Sequence, residues 1–102
     1  MTQEVKTIST QAVKEQLAEQ ANVHYIDVRE HEEVAEGKIA EAAHIPMGEI
    51  PDRLSEIPKD KTVVFICRSG ARSGRVCEYL LMNGYDNVLN MEGGMLAYDA
   101  EE

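Results

Sequence analysis

The sequence predicts an α/β fold built on a mainly parallel sheet. Three observations lead there. Extended and helical segments alternate along the whole chain, TVVFIC (62–67) is an unbroken β-branched and aromatic run, and no repeat, linker or low-complexity tract interrupts the pattern. A continuous apolar strand of that kind suits the middle of a parallel sheet covered on both faces. At 102 residues the chain fits one domain over 1–102, with a core over about 5–100.

The elements follow in order. Residues 5–8 form a short edge strand. Ser9 or Thr10 caps a helix to about residue 20, with Val13 and Leu17 on one face. VHYIDV (23–28) is a strand. The acidic segment 30–36 is a short helix ended by Gly37. Residues 43–46 are extended, and 50–57 form a short helix closed by Pro58. After strand 62–67, Ser69-Gly70 turns the chain into a helix over 73–83, with Val76, Cys77, Leu80 and Leu81 on its buried side. Residues 87–89 give a last strand, and Gly93-Gly94 opens a final short helix.

Charge narrows the partners. With 19 acidic and 10 basic side chains the net charge is −9. Such a surface repels nucleic-acid phosphates and anionic lipid. No run of about 18 apolar residues is present, and MTQEVKTIST lacks the pattern of a secretory leader, so a cytoplasmic location is expected. The expected state is a monomer. Two cysteines and three scattered histidines offer neither a disulfide framework nor zinc-ligand spacing, so no metal is expected.

The chemistry concentrates in CRSGARS (67–73). Three of the five arginines, Arg68, Arg72 and Arg75, lie within eight residues. Such an island on an acidic chain reads either as a small-anion site or as a solvated helix start. Cys67 ends a buried strand, and the turn after it leads to a helix N-terminus. Inward-pointing amides of such a turn form an anion nest, and the helix adds partial positive charge. Both favour thiolate over thiol, so a lowered pKa and a reactive sulfur are expected at Cys67. The opposing reading is an inert core cysteine.

These segments resemble the rhodanese-like domains. CRSGARS looks like their active-site loop, and YIDVRE is similar to their Asp-Val-Arg segment. GKIAEAAHIP resembles their Gly-His-Ile-Pro-Gly-Ala motif, and GYDNVLNMEGGMLAY the segment with paired glycines that ends them. The resemblance spans nearly the whole chain. Lys38 stands where the family commonly has histidine, Glu41 and Ala42 replace Pro-Gly, and Tyr98 replaces a common tryptophan.

The resemblance implies a three-layer domain with a central, mainly parallel five-stranded sheet flanked by helices. It also implies a double displacement. Cys67 thiolate takes the outer sulfur of a small anionic donor such as thiosulfate, and the persulfide passes it to a thiophilic acceptor. That acceptor is cyanide in an assay, a thiol or a protein in the cell. Amides from Arg68, Ser69, Gly70, Ala71, Arg72 and Ser73 would cradle the persulfide. No cofactor beyond the covalent sulfur and no histidine base are implied.

Asp27 and Arg29 read either as support for the loop or as an ion pair at a strand end. Cys77 reads as core, His24, His31 and His44 as structural or solvated, and Met91 and Met95 as packing near the pocket mouth. Two rival functions remain. A cysteine phosphatase or arsenate reductase shares the nucleophile and nest, but has five residues between Cys and Arg where four stand here. A non-catalytic sulfur carrier or partner-binding module would use the fold without turnover.

Overall fold

The β-branched run forms β4 (Thr62–Ile66) at the centre of a five-stranded parallel sheet in the computed structural model, which describes residues 4–100. Of the domain expected over 1–102, residues 1–3 and 101–102 lie outside the described residues. The other strands are β1 (Thr7–Ile8), β2 (Val23–Asp27), β3 (Ala43–His44) and β5 (Val88–Met91). Their order is β1-β5-β4-β2-β3. Every pairing is parallel, so each connection crosses over through helical structure.

Helices α1 (Thr10–Ala18) and α4 (Gly94–Ala100) cover one face, where Val13 and Met95 pack with Tyr25, Val64, Ile66 and Met91. Helix α3 (Ala71–Met82) and a 3-10 helix (Met47–Glu56) cover the other, burying Ile50, Val76, Cys77 and Leu80 against Ile26, Val28, Phe65 and Val88. Alternation along β4 explains this: Val63 and Phe65 face one layer, Val64 and Ile66 the other. Leu81 is only half-buried at the edge of its cluster. Ser9 caps α1, its hydroxyl accepting the Ala12 N–H at 3.0 Å. The short acidic helix is α2 (His31–Ala35), with Gly37 beyond it at φ +135°.

Two elements differ from the sequence reading in ways that matter. The helix expected over 50–57 begins at Met47 and is 3-10, with a kink at Arg53. Pro51 lacks the N–H that an α-helix would place on the carbonyl four residues back. The turns close instead through bonds three residues apart, such as the Glu49 N–H to the Pro46 carbonyl at 2.8 Å. Helix α3 begins at Ala71 rather than Ser73, because Gly70 takes φ +98° and completes the turn within three residues of Cys67. No helix among the described residues is long and apolar enough to cross a membrane.

Candidate active site

Cys67 follows the last residue of β4, and its backbone is fixed from the opposite side of the sheet. The Met95 N–H donates to the Cys67 carbonyl at 2.9 Å, and the Leu96 N–H to the Arg68 carbonyl at 3.0 Å. These are first-turn amides of α4 with no partner inside their own helix. The paired glycines make this approach feasible: a Cβ on Gly94 would sit 2.6 Å from the Cys67 carbonyl oxygen.

Cys67 is 0% exposed, as an inert core cysteine would be. Its sulfur, however, is surrounded by donors. Sγ accepts the Gly70 N–H at 3.0 Å and lies 3.2 Å from the Ser73 hydroxyl. Burial pushes the Cys67 thiol up. Hydrogen bonds from the Ser73 hydroxyl and from the Ser73, Gly70 and Ser69 amides outweigh it, and the net shift is downward. Among the described residues no such donor reaches Cys77, buried further along α3, and burial together with the nearby Cys67 pushes its thiol up to about 12. Two buried cysteines in one hydrophobic cluster are thus driven in opposite directions.

The arginines divide. Arg72 leaves the loop sideways and meets Glu33 of α2 in two bonds of 2.7 and 2.8 Å. That carboxylate also accepts the Glu30 N–H, and these bonds hold it down to about 2, well below the usual carboxylate range. The acidic helix is thereby tied to the start of α3. Arg75 is exposed on the far side of α3, beside Tyr79 and Met47. Arg68 lines an open cleft of about 430 Å³ together with Arg29 and the carboxylates Glu33, Glu36 and Asp99, and makes no ion pair among the described residues. Ser69 and Ala71 are exposed, while Ser73 is fully buried in the first turn of α3.

Asp27 and Arg29 form a buried ion pair. The guanidinium reaches both carboxylate oxygens at 2.9–3.1 Å and the Gly37 carbonyl at 2.8 Å, and the Arg29 N–H donates to Asp27 at 3.0 Å. Among the described residues their side-chain bonds run to each other and to the carbonyl of Gly37 just beyond α2, not to residues 67–73. His44 Nε2 meets the Arg29 carbonyl at 2.7 Å, and its ring stacks edge-on against His31. Lys38 bonds the carbonyls of Ile39, Ala40 and Ala42, closing that turn from its own side chain. Among the described residues no group of three or more His, Cys, Asp or Glu is placed to hold a metal.

One residue of the site goes unnoticed in the sequence. Asn90 on β5 is buried, donates Nδ2–H to the Gly70 carbonyl at 3.0 Å, and accepts the Ser73 hydroxyl on Oδ1. Its signal is a polar residue inside the otherwise apolar strand VLNM, on the face that meets α3.

Residues 9–101 match the family described as Rhodanese-like domain. The chain belongs to that family. Among relatives of this rhodanese-like domain, YtwF of Bacillus subtilis is 53% identical over 98 residues, covering 96% of this chain and 94% of that one. A protein of Allochromatium vinosum named "Sulfurtransferase" is 46% identical over 94 residues, covering 92% and 88%. The crystal structure of a rhodanese-like domain protein from Staphylococcus aureus superposes with a TM-score of 0.86 at 44% identity, covering 92% and 91%. Family membership with such relatives supports a sulfurtransferase or a sulfur carrier.

Proposed function

We propose that this domain is a sulfurtransferase that carries a sulfane sulfur on Cys67. The observation that supports it most is the contrast between the two buried thiols, since among the described residues only Cys67 has donors arranged to hold a negative sulfur. Thiosulfate is the donor we favour. In the first half-reaction the Cys67 thiolate attacks the outer sulfur, the S–S bond of thiosulfate breaks, and sulfite leaves with the bonding pair. The product is Cys67–S–S⁻. In the second, a nucleophile such as cyanide takes the outer sulfur, the S–S bond breaks, and the thiolate returns. In the cell the acceptor is a thiol or a protein.

Amides at the start of α3 and in the Ser69-Gly70 turn supply fixed dipoles for the charge, so no base is required at the moment of attack. Arg68, in no ion pair among the described residues, is a loop cation left to meet a small anion at a cleft that Glu33, Glu36 and Asp99 also line. A cysteine phosphatase would need an arginine over the nest. Arg72 is instead committed to Glu33, which disfavours that reading.

The test is incubation with thiosulfate and cyanide, following thiocyanate, with Cys67→Ser alongside. Turnover lost in Cys67→Ser, with a gain of about 32 Da on the unsubstituted protein before cyanide is added, is the expected result. No added mass and no thiocyanate from folded, reduced protein would remove thiosulfate as donor. Persulfide transfer from a protein donor without catalytic turnover would favour the carrier role.

A further inference from the structure

The Ser73 hydroxyl sits between two acceptors and has one proton. Its oxygen lies 3.2 Å from Cys67 Sγ and within hydrogen-bond reach of Asn90 Oδ1. The amide cannot turn over to relieve this. Its NH₂ end donates to the Gly70 carbonyl at 3.0 Å, and a carbonyl only accepts. Oδ1, which also only accepts, must therefore face Ser73. The fold makes room for this arrangement. A Cβ on Gly74 would come within 3.2 Å of Asn90 Nδ2, closer than side chains ordinarily pack.

We propose that Asn90 is a positioning residue that holds the Ser73 proton away from Cys67 while the sulfur is a thiol or a persulfide, and yields it when the sulfur is a thiolate. As a thiol, Cys67 donates S–H to the Ser73 oxygen, and Ser73 donates to Asn90. As a thiolate, the sulfur only accepts. The Ser73 proton swings to it, and the buried Asn90 oxygen loses its donor, which is unfavourable. Once the sulfur has become a persulfide, its charge lies on the outer atom and the proton returns to Asn90. Asn90 thus raises the energy of the bare thiolate relative to the states before and after it, keeping the nucleophile from being over-stabilised. The persulfide half of this statement rests on the sulfurtransferase reading; the thiol and thiolate half does not.

The experiment is a four-protein cycle: unsubstituted, Ser73→Ala, Asn90→Ala and the double variant. The Cys67 ionisation is read from thiolate absorbance and from the pH dependence of iodoacetamide alkylation. Loosening Gly70 acts with or without the Ser73 hydroxyl and cancels in the cycle. Asn90→Ala is expected to leave the Cys67 midpoint about half a unit lower when Ser73 is present, relative to its effect in the Ser73→Ala protein. Equal shifts in both backgrounds, or a relative rise when Ser73 is present, would overturn the proposal. If Asn90→Ala does not fold, the unsubstituted protein decides. The Asn90 side-chain carbonyl ¹³C resonance should titrate with the Cys67 midpoint, and not in Ser73→Ala; no movement in the unsubstituted protein overturns it. These readouts follow ionisation, not sulfur transfer, so failure to make thiocyanate leaves them standing and is told apart from their own failure.

Discussion

Glu33 and Arg72 join the acidic helix α2 to the first turn of α3 through two hydrogen bonds of 2.7 and 2.8 Å. The pair ties the first turn of α3, and with it the turn that follows Cys67, to α2. Glu33→Gln removes the charge and should cost about 1 kcal/mol, read as a fall in Tm of about 4–8 °C. The pH dependence has a defined sign. A carboxylate lowered from 4.5 to about 2 contributes stability that is complete above about 4.5 and lost as pH falls toward 2. Urea unfolding of the two proteins should therefore show a gap at pH 5 that closes by pH 2. A constant gap would assign the loss to something other than this carboxylate.

Much of this was legible in the sequence, for physical reasons. The run 62–67 permits little but a covered strand, and a cysteine at its end followed by a glycine turn and a helix start points to a nest without excluding an inert core cysteine. Ser9 before an amphipathic run marks a helix start. What escaped depends on contacts between distant segments. Glu33 and Arg72 are 39 residues apart, so nothing in the acidic run distinguishes the residue that braces the loop from its solvated neighbours. Asn90 acquires its role only when β5 lies beside β4, with Asn90 opposite Phe65. The early start of α3 turns on the left-handed conformation of Gly70, which is permitted but not dictated by glycine.

Cys77 tests whether one sulfur or two take part. It is fully buried, and its thiol is pushed up to about 12, so it should stay protonated and unreactive in the folded protein. Alkylation at neutral pH should modify one cysteine, with the second reacting only after denaturation. Cys77→Ala should leave sulfur transfer unchanged while costing about 1–2 kcal/mol from the cavity it opens. Loss of transfer in folded Cys77→Ala would bring the second thiol into the chemistry.

Asp27 has no exposed surface, and Arg29 bridges both its oxygens and the Gly37 carbonyl. Removing one partner strands a buried charge, so Arg29→Met should destabilise the domain by about 3–5 kcal/mol in urea unfolding. Arg29→Lys keeps the charge but not the fork that spans three acceptors, and its stability should fall between those of Arg29→Met and the unsubstituted protein. A loss under about 1 kcal/mol for Arg29→Met would mean that the pair contributes little to the fold.

Gly94 separates loop support from backbone strain. It adopts φ +60°, and a Cβ there would collide with the carbonyls of Cys67 and Arg68. Gly84, at φ +88°, has nothing among the described residues within 4 Å of its would-be Cβ. Both alanine variants carry the cost of a left-handed residue, about 1–2 kcal/mol, but only Gly94→Ala forces the Cys67 loop to move away from α4. That movement breaks the bonds from the Met95 and Leu96 amides, which fix the backbone on which the sulfur cradle stands. Sulfur transfer should therefore fall about tenfold or more in Gly94→Ala and stay near normal in Gly84→Ala, measured where both are folded. Equal activity in the two variants would show that the cradle holds its shape without α4, leaving the turn at Gly70 and the Asn90 contacts to support it.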